Sequence, residues 1–119
     1  MSHASPLNRA LRLAPTPEQP YGFQLRVSSL PMLSPGEVLV RNLVLSCDPI
    51  QFAWLMGMHP LALKPDDVMR AWSAGIVVDS RRAGFEPGQR VWGTLGWQDF
   101  GVDDGTGGCT TGRRCWRAA

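Results

Sequence analysis

Glu37 to Ser46 reads EVLVRNLVLS, and six of these ten residues are Val or Leu. They fall on both faces of a two-residue alternation, so the stretch is expected to be a central strand covered on two sides rather than an edge. Just upstream, Leu30 to Gly36 reads LPMLSPG. Pro35 presets φ at the second turn position and Gly36 supplies the positive φ of a type II turn. Before that turn, Gly22 to Ser28 sets Phe23, Leu25 and Val27 against Gln24, Arg26 and Ser28, the period of a half-buried strand with one face inward.

Downstream, Asp48-Pro49-Ile50-Gln51 carries helix-start chemistry. Asp48 can cap orphan amides, Pro49 suits the first helical position and Gln51 can complete a capping box. About two turns are expected from Pro49 to Met56, ended by Gly57. His59 to Asp67 holds Pro60 and Pro65 and reads as a surface loop, while Asp67 to Ala74 gives mixed signals. Gly75 to Ser80 (GIVVDS) reads as a buried strand, with Gly75 permitting close backbone approach. Phe85-Glu86-Pro87-Gly88 repeats the Pro-Gly turn and launches a strand over Gln89 to Leu95, with Trp97 to Val102 as a further candidate. Five or six short strands about ten residues apart, with one short helix, predict a mainly β fold built as a compact barrel.

Composition agrees. A chain of 119 residues, 44% hydrophobic and 18% charged, has room for one domain with a core. Its 13 Gly and 10 Pro favour turns over long helices. No apolar run is long enough for a membrane helix, and Met1 to Arg12 has no secretory h-region, so a cytoplasmic location is expected, without membrane partners. Cys47, Cys109 and Cys115 are too scattered for a disulfide framework. The net charge of +2 conceals an asymmetry: residues 1–104 carry nine Lys and Arg against ten acids, and Arg113, Arg114 and Arg117 follow with no acid. The basic character belongs to the end of the chain, and nucleic-acid binding by the body has no electrostatic support. Periodicity also stops there. Residues 103–119, DDGTGGCTTGRRCWRAA, offer no core face, so the fold is expected to span residues 1–104 and residues 105–119 to be a disordered or non-native tail produced by a break near Gly105.

Four stretches carry a family resemblance: PGEVLVRN (35–42), LSCDP (45–49), VMRAWSAGIVVDS (68–80) and GFEPGQRVWGTLGWQDF (84–100). Over residues 7–104 the chain resembles the amino-terminal domain of the zinc-independent medium-chain reductases, in the prostaglandin reductase or leukotriene B4 12-hydroxydehydrogenase branch. The resemblance implies a GroES-like, partly open β-barrel with one or two short helices. It also implies an NADPH-dependent oxidoreductase that delivers hydride to the C=C bond of α,β-unsaturated ketones or aldehydes. Zinc catalysis requires convergent Cys and His ligands with an open position. Here Asp48 follows Cys47, no His occurs within the next ten residues, and no four-Cys lobe appears; no metal is expected. Family members usually follow the Asp-Pro pair with Tyr-Met-Arg, whereas this chain has Ile50, Gln51 and Phe52, which removes a phenol and a guanidinium from the substrate region. The Rossmann half that holds NADPH is expected to be absent. Gly105, Gly107, Gly108 and Gly112 follow no strand and precede no helix, so they make no phosphate loop.

Three residues are taken as candidates for the substrate pocket: Asp48, which also suits a cap, Ile50, and Trp97, whose GWQDF segment lies where the family's strand approaches the cleft. No catalytic, cofactor-binding or metal-binding residue is assigned. Cys47 is read as a small buried residue at a strand end rather than a reactive thiol. His3 and His59 read as loop residues, and the spacing of Cys109 and Cys115 matches no standard metal site. Two functions follow as expectations. One is the substrate-side domain of an enone or enal reductase, inert without its cofactor domain; the other is a stand-alone GroES-like binding module that buries its apolar face in a homo-oligomer.

Overall fold

The computed structural model describes residues 6–56 and 62–104. Six strands and one helix follow in the order β1 (Leu7–Leu13), β2 (Phe23–Ser29), β3 (Val38–Leu45), α1 (Ile50–Leu55), β4 (Ser73–Ser80), β5 (Arg90–Gly93) and β6 (Phe100–Asp103). β1 and β2 form an antiparallel pair, and the other four make an antiparallel sheet in the order β5-β4-β3-β6. The result is a partly open, GroES-like β fold with one short helix.

β3 is central, as its composition predicts, with β4 on one side and β6 on the other. Its covering differs from the expectation of two buried faces. Val38, Leu39 and Val40 are buried, but Leu43, Val44 and Leu45 are exposed. The reason is partner length: β6 pairs with β3 only from Val38 to Arg41, so the second half of β3 runs on past its neighbour. β2 also departs from expectation. Its alternation is real, yet Leu25 and Val27 are exposed, because β2 is an edge strand whose partner β1 turns its own buried residues toward the rest of the protein.

β1 was not anticipated. Its sequence LNRALRL places Asn8 and Ala10 inside and Leu7 outside, the reverse of a simple hydrophobic alternation. Tertiary partners account for it. One edge bonds β2 and the other bonds two separate segments, with Leu13 N donating to Asp67 O and Met69 N to Leu11 O, then Leu11 N to Trp97 O and Asp99 N to Arg9 O. These bonds, with bridges at Arg12–Val68 and Ala10–Gln98, stitch the small pair to the large sheet without a continuous ladder, and the barrel stays partly open.

The Pro-Gly turns form as read, with Gly36 at φ 86° and Gly88 at φ 90°. At the start of α1 half of the capping box forms: Asp48 N donates to Gln51 Oε1 at 2.8 Å. The Asp48 carboxylate does not cap, since the helix start carries no side-chain cap bond. Gln51 is buried and its amide donates to Arg70 O at 2.9 Å, which ties α1 to the segment before β4 and makes the residue's role tertiary as much as local. Gly57 and His59 lie outside the described residues.

Two apolar clusters result. Val38, Val40, Val77, Val91 and Leu95 pack inside the large sheet, with Phe85 against them. Leu13, Trp54, Leu63 and Met69 pack beneath β1 and α1, with Phe23, Leu55 and Trp97 against them. Among the described residues no helix is long and apolar enough to cross a membrane.

Candidate functional site

Between the two sheets lies a concavity of about 480 Å3 whose walls come from β1 (Arg9, Leu11), β2 (Leu25), β3 (Asn42, Leu43, Leu45), Cys47, and the Trp97-Gln98-Asp99 segment. That volume lies within the range of roughly 300–1,000 Å3 common for small-molecule sites. The wall is mainly apolar because β3 has outrun β6 here, and the side chains that would otherwise be covered face the opening.

Trp97 is the largest flat surface in the wall. Its indole Nε1 donates to Ser46 O at 3.1 Å, and its ring meets Phe23 with centroids 5.9 Å apart and planes tilted by 49°. Its backbone is held on both sides, with Trp97 N donating to Met69 O and its carbonyl accepting from Leu11 N, both at 2.9 Å. A half-buried indole pinned this way is a rigid part of the wall.

Around it runs a polar frame. Asn42 Nδ2 donates to Gln98 O at 2.9 Å and to Gly96 O at 3.3 Å, while its Oδ1 is buried without a partner. Gln98 accepts from Asn8 Nδ2 at 3.0 Å and donates to Leu95 O at 2.7 Å. At the rim, Arg9 grips Asp99 through Nε at 2.8 Å and Nη2 at 3.1 Å, and Arg9 N donates to the same carboxylate at 3.0 Å.

The Arg9 hydrogen bonds to its side chain, followed by the backbone bond from Arg9 and the charges of Arg9 and Arg41, hold the Asp99 carboxyl below its ordinary range against the opposing effect of burial. A carboxyl whose folded pKa is depressed adds stability above its unfolded value, about 4, and that contribution is lost as pH falls through the lowered folded value. Thermal melts across the acid range are therefore expected to fall less steeply below about pH 4 in Asp99→Asn than in the wild type. Equal acid slopes would show that the pair does not contribute in this way.

Of the three pocket candidates, Trp97 lines this concavity. Asp48 is half-buried and Ile50 exposed; both sit at the start of α1, and neither contributes to the wall. Cys47 corrects its earlier reading: it is exposed, not buried, and lines the pocket. It follows the uncovered half of β3, where no strand or helix closes over it. Arg9, Leu11, Asn42 and Asp99 were not singled out from sequence. The signal for Asn42 was present, since a carboxamide interrupting a Val-Leu strand is disfavoured unless its polar atoms find partners.

Among the described residues no three His, Cys, Asp or Glu side chains converge; His3, His59, Cys109 and Cys115 lie outside them. A dinucleotide cradle requires a strand, a Gly-rich turn and a helix whose amino terminus faces the pyrophosphate. The helix among the described residues is six residues long, and the residues before it, Ser46 to Pro49, contain no glycine. The described residues therefore do not fit NADPH.

The chain matches the family described as the N-terminal domain of oxidoreductase over residues 8–110, six residues beyond the boundary expected at Asp104. It is 38% identical over 85 residues to prostaglandin reductase 1 of Rattus norvegicus, a match covering 71% of this chain and 24% of that protein. It is 33% identical over 95 residues to the NADPH-dependent curcumin reductase of Escherichia coli, covering 77% of this chain and 26% of that protein. The crystal structure of CurA from Vibrio vulnificus superposes with a TM-score of 0.72 at 31% identity, covering 89% of this chain and 32% of that one. The chain thus spans about a quarter of the length of the curated relatives it matches. An N-terminal-domain match over most of the chain, the GroES-like strand order and the shared fold make one assignment: the chain belongs to the medium-chain dehydrogenase/reductase oxidoreductases, as their N-terminal domain.

Proposed function

We propose that this chain is the substrate-side domain of an NADPH-dependent reductase acting on the C=C bond of α,β-unsaturated ketones or aldehydes, in a zinc-independent, cytoplasmic enzyme. The observation that carries the reading is the apolar pocket of about 480 Å3 walled by Trp97, Leu11, Leu25, Leu43 and Leu45 in a chain whose relatives include a prostaglandin reductase and a curcumin reductase. A CurA structure containing NADPH matches with a TM-score of 0.69 at 33% identity, which supports NADPH as the reductant of the parent enzyme.

The chemistry assigned to this domain is binding and exclusion. Conjugated enones are flat, and Trp97 offers a rigid surface for stacking, while the leucines supply apolar contact to the carbon skeleton. Hydride addition to the β-carbon places negative charge on the carbonyl oxygen, which requires hydrogen-bond donors. The Trp97 indole N–H is already committed to Ser46 and the Asn42 amide to Gly96 and Gln98, so neither serves that oxygen. Because the described residues do not fit NADPH, no hydride-transfer step is assigned to them.

The test is binding without turnover. Titrating the 119-residue chain with trans-4-phenyl-3-buten-2-one is expected to quench tryptophan fluorescence saturably, and Trp97→Leu should abolish the saturable part. NADPH oxidation in the same mixture should stay at the background rate. Quenching without saturation would reject the binding role, and turnover by the chain alone would reject its dependence on a separate cofactor domain. The alternative of a stand-alone oligomeric module draws on the exposed Leu43, Val44 and Leu45; a specific dimer in sedimentation velocity, combined with absent enone binding, would favour it.

A further inference from the structure

We propose that Asn42 is a positioning residue for the substrate wall: its carboxamide, donating across the carbonyls on either side of Trp97, sets the angle at which the indole faces the pocket. The inference rests on reading this pocket as the enone site and adds a residue that the reading does not require.

The geometry is specific. Asn42 Nδ2 reaches Gly96 O at 3.3 Å and Gln98 O at 2.9 Å, and Asn42 N donates to Asp99 O at 2.7 Å. One residue of β3 therefore touches the chain before, just after and two positions after Trp97. Four residues further along, just past the end of β3, Ser46 O receives the indole N–H. The residues flanking Trp97 are thus held by Asn42 of β3 and its ring by the residue that follows β3, in addition to the bonds of its own backbone to Met69 and Leu11. The other end of the carboxamide points to the same role. Asn42 Oδ1 is buried with no partner, although buried polar atoms in folded proteins are nearly always satisfied. Retaining an amide at that cost, inside a strand where Asn is disfavoured, fits a group kept for what its Nδ2 holds. Asn42 is not itself part of the cluster of Leu13, Trp54, Leu63 and Met69, and reaches it only through Trp97, which packs against it.

The test is nitrogen-proton NMR of the full chain, with the Trp97 indole resonance assigned by its loss in Trp97→Phe. Asn42→Thr suits a strand but cannot span the two carbonyls. It is expected to shift the Trp97 indole resonance in the free protein, leave in place that of Trp92, whose ring pairs with Trp72, and weaken trans-4-phenyl-3-buten-2-one binding about tenfold. Asn42→Gln, which keeps an amide donor, should recover part of both effects. An unmoved Trp97 resonance in Asn42→Thr would overturn the proposal. Should that variant not fold, the wild-type chain decides: the Asn42 side-chain amide resonances must titrate with the enone at the same midpoint as Trp97, and amide resonances that stay still while Trp97 moves overturn it. A wild-type chain that binds no enone instead rejects the proposed function, and the ligand-free spectra then still decide whether Asn42 sets Trp97.

Discussion

Gly75→Ala is expected to destabilise the chain by at least about 3 kcal/mol, at or beyond the upper end of ordinary overpacking effects. Gly75 sits in β4 opposite Asn42 of β3 on one side and Val91 of β5 on the other. A Cβ there would collide with the Arg41 carbonyl oxygen and lie 2.9 Å from Val40 Cγ1. The oxygen is backbone in the central strand, so relief requires moving β3 itself, and the β3–β4 register is already irregular between Asn42 and Val44. Domains of this size hold about 5–15 kcal/mol in total, so the variant should lose much of its cooperative transition. Urea unfolding followed by circular dichroism checks this; a midpoint within about 0.3 M of wild type, near 1 kcal/mol or less at typical slopes, would show that the sheet absorbs the methyl group. Displacing Arg41 and Asn42 also moves the Trp97 wall, so enone binding should fail even in any folded fraction.

Arg82→Ala is expected to cost about 3 kcal/mol, the lower end of the range for removing one partner of a buried ion pair. Arg82 spends three nitrogens at one junction: Nη1 on Asp103 Oδ2 at 2.9 Å, Nη2 on Asp103 O at 3.0 Å, and Nε on Gly36 O at 2.9 Å. Its guanidinium also lies over the Phe85 ring at 5.1 Å. The contacts join the turn before β3, the segment after β4 and the end of β6. The Asp103 side chain is 2% exposed and that of Arg82 21%, so the substitution leaves a buried carboxylate without its guanidinium, and the low end of the range reflects the partial exposure of the arginine. Arg82→Lys should recover only a fraction, because a single ammonium cannot serve all three acceptors. Adding Asp103→Asn to Arg82→Ala should return part of the loss by removing the buried charge. Additive losses in that double variant would mean that the two side chains are not energetically coupled.

Only the first of these effects was legible in the sequence. Gly75 heading a Val-rich strand announced close backbone approach, and its neighbour across the sheet confirms why. Arg82 carried no comparable signal. It follows Arg81 in a polar connection, and only the meeting of β6 with the start of β3 gives it a buried partner 21 residues away. The pocket divides in the same way. Trp97 stood out because the family resemblance places its GWQDF segment where a strand approaches the cleft. Arg9 and Asp99 are 90 residues apart, and nothing local in either segment points to the other. Cys47 was misjudged because burial at a strand end depends on how far the neighbouring strand extends.

What the sequence determined by itself was the local material: the apolar β3, the two Pro-Gly turns, the short helix after Asp48, and family membership through motifs carried in order. Those features depend on neighbours within a few residues, where sterics and periodicity act directly. Tertiary structure decided which apolar residues stay uncovered, that β1 exists, and that Asn42, Trp97 and Arg9 share one wall. Strand lengths and pairing across tens of residues set those outcomes, since a half-covered strand and a fully covered one have the same composition until a neighbour ends.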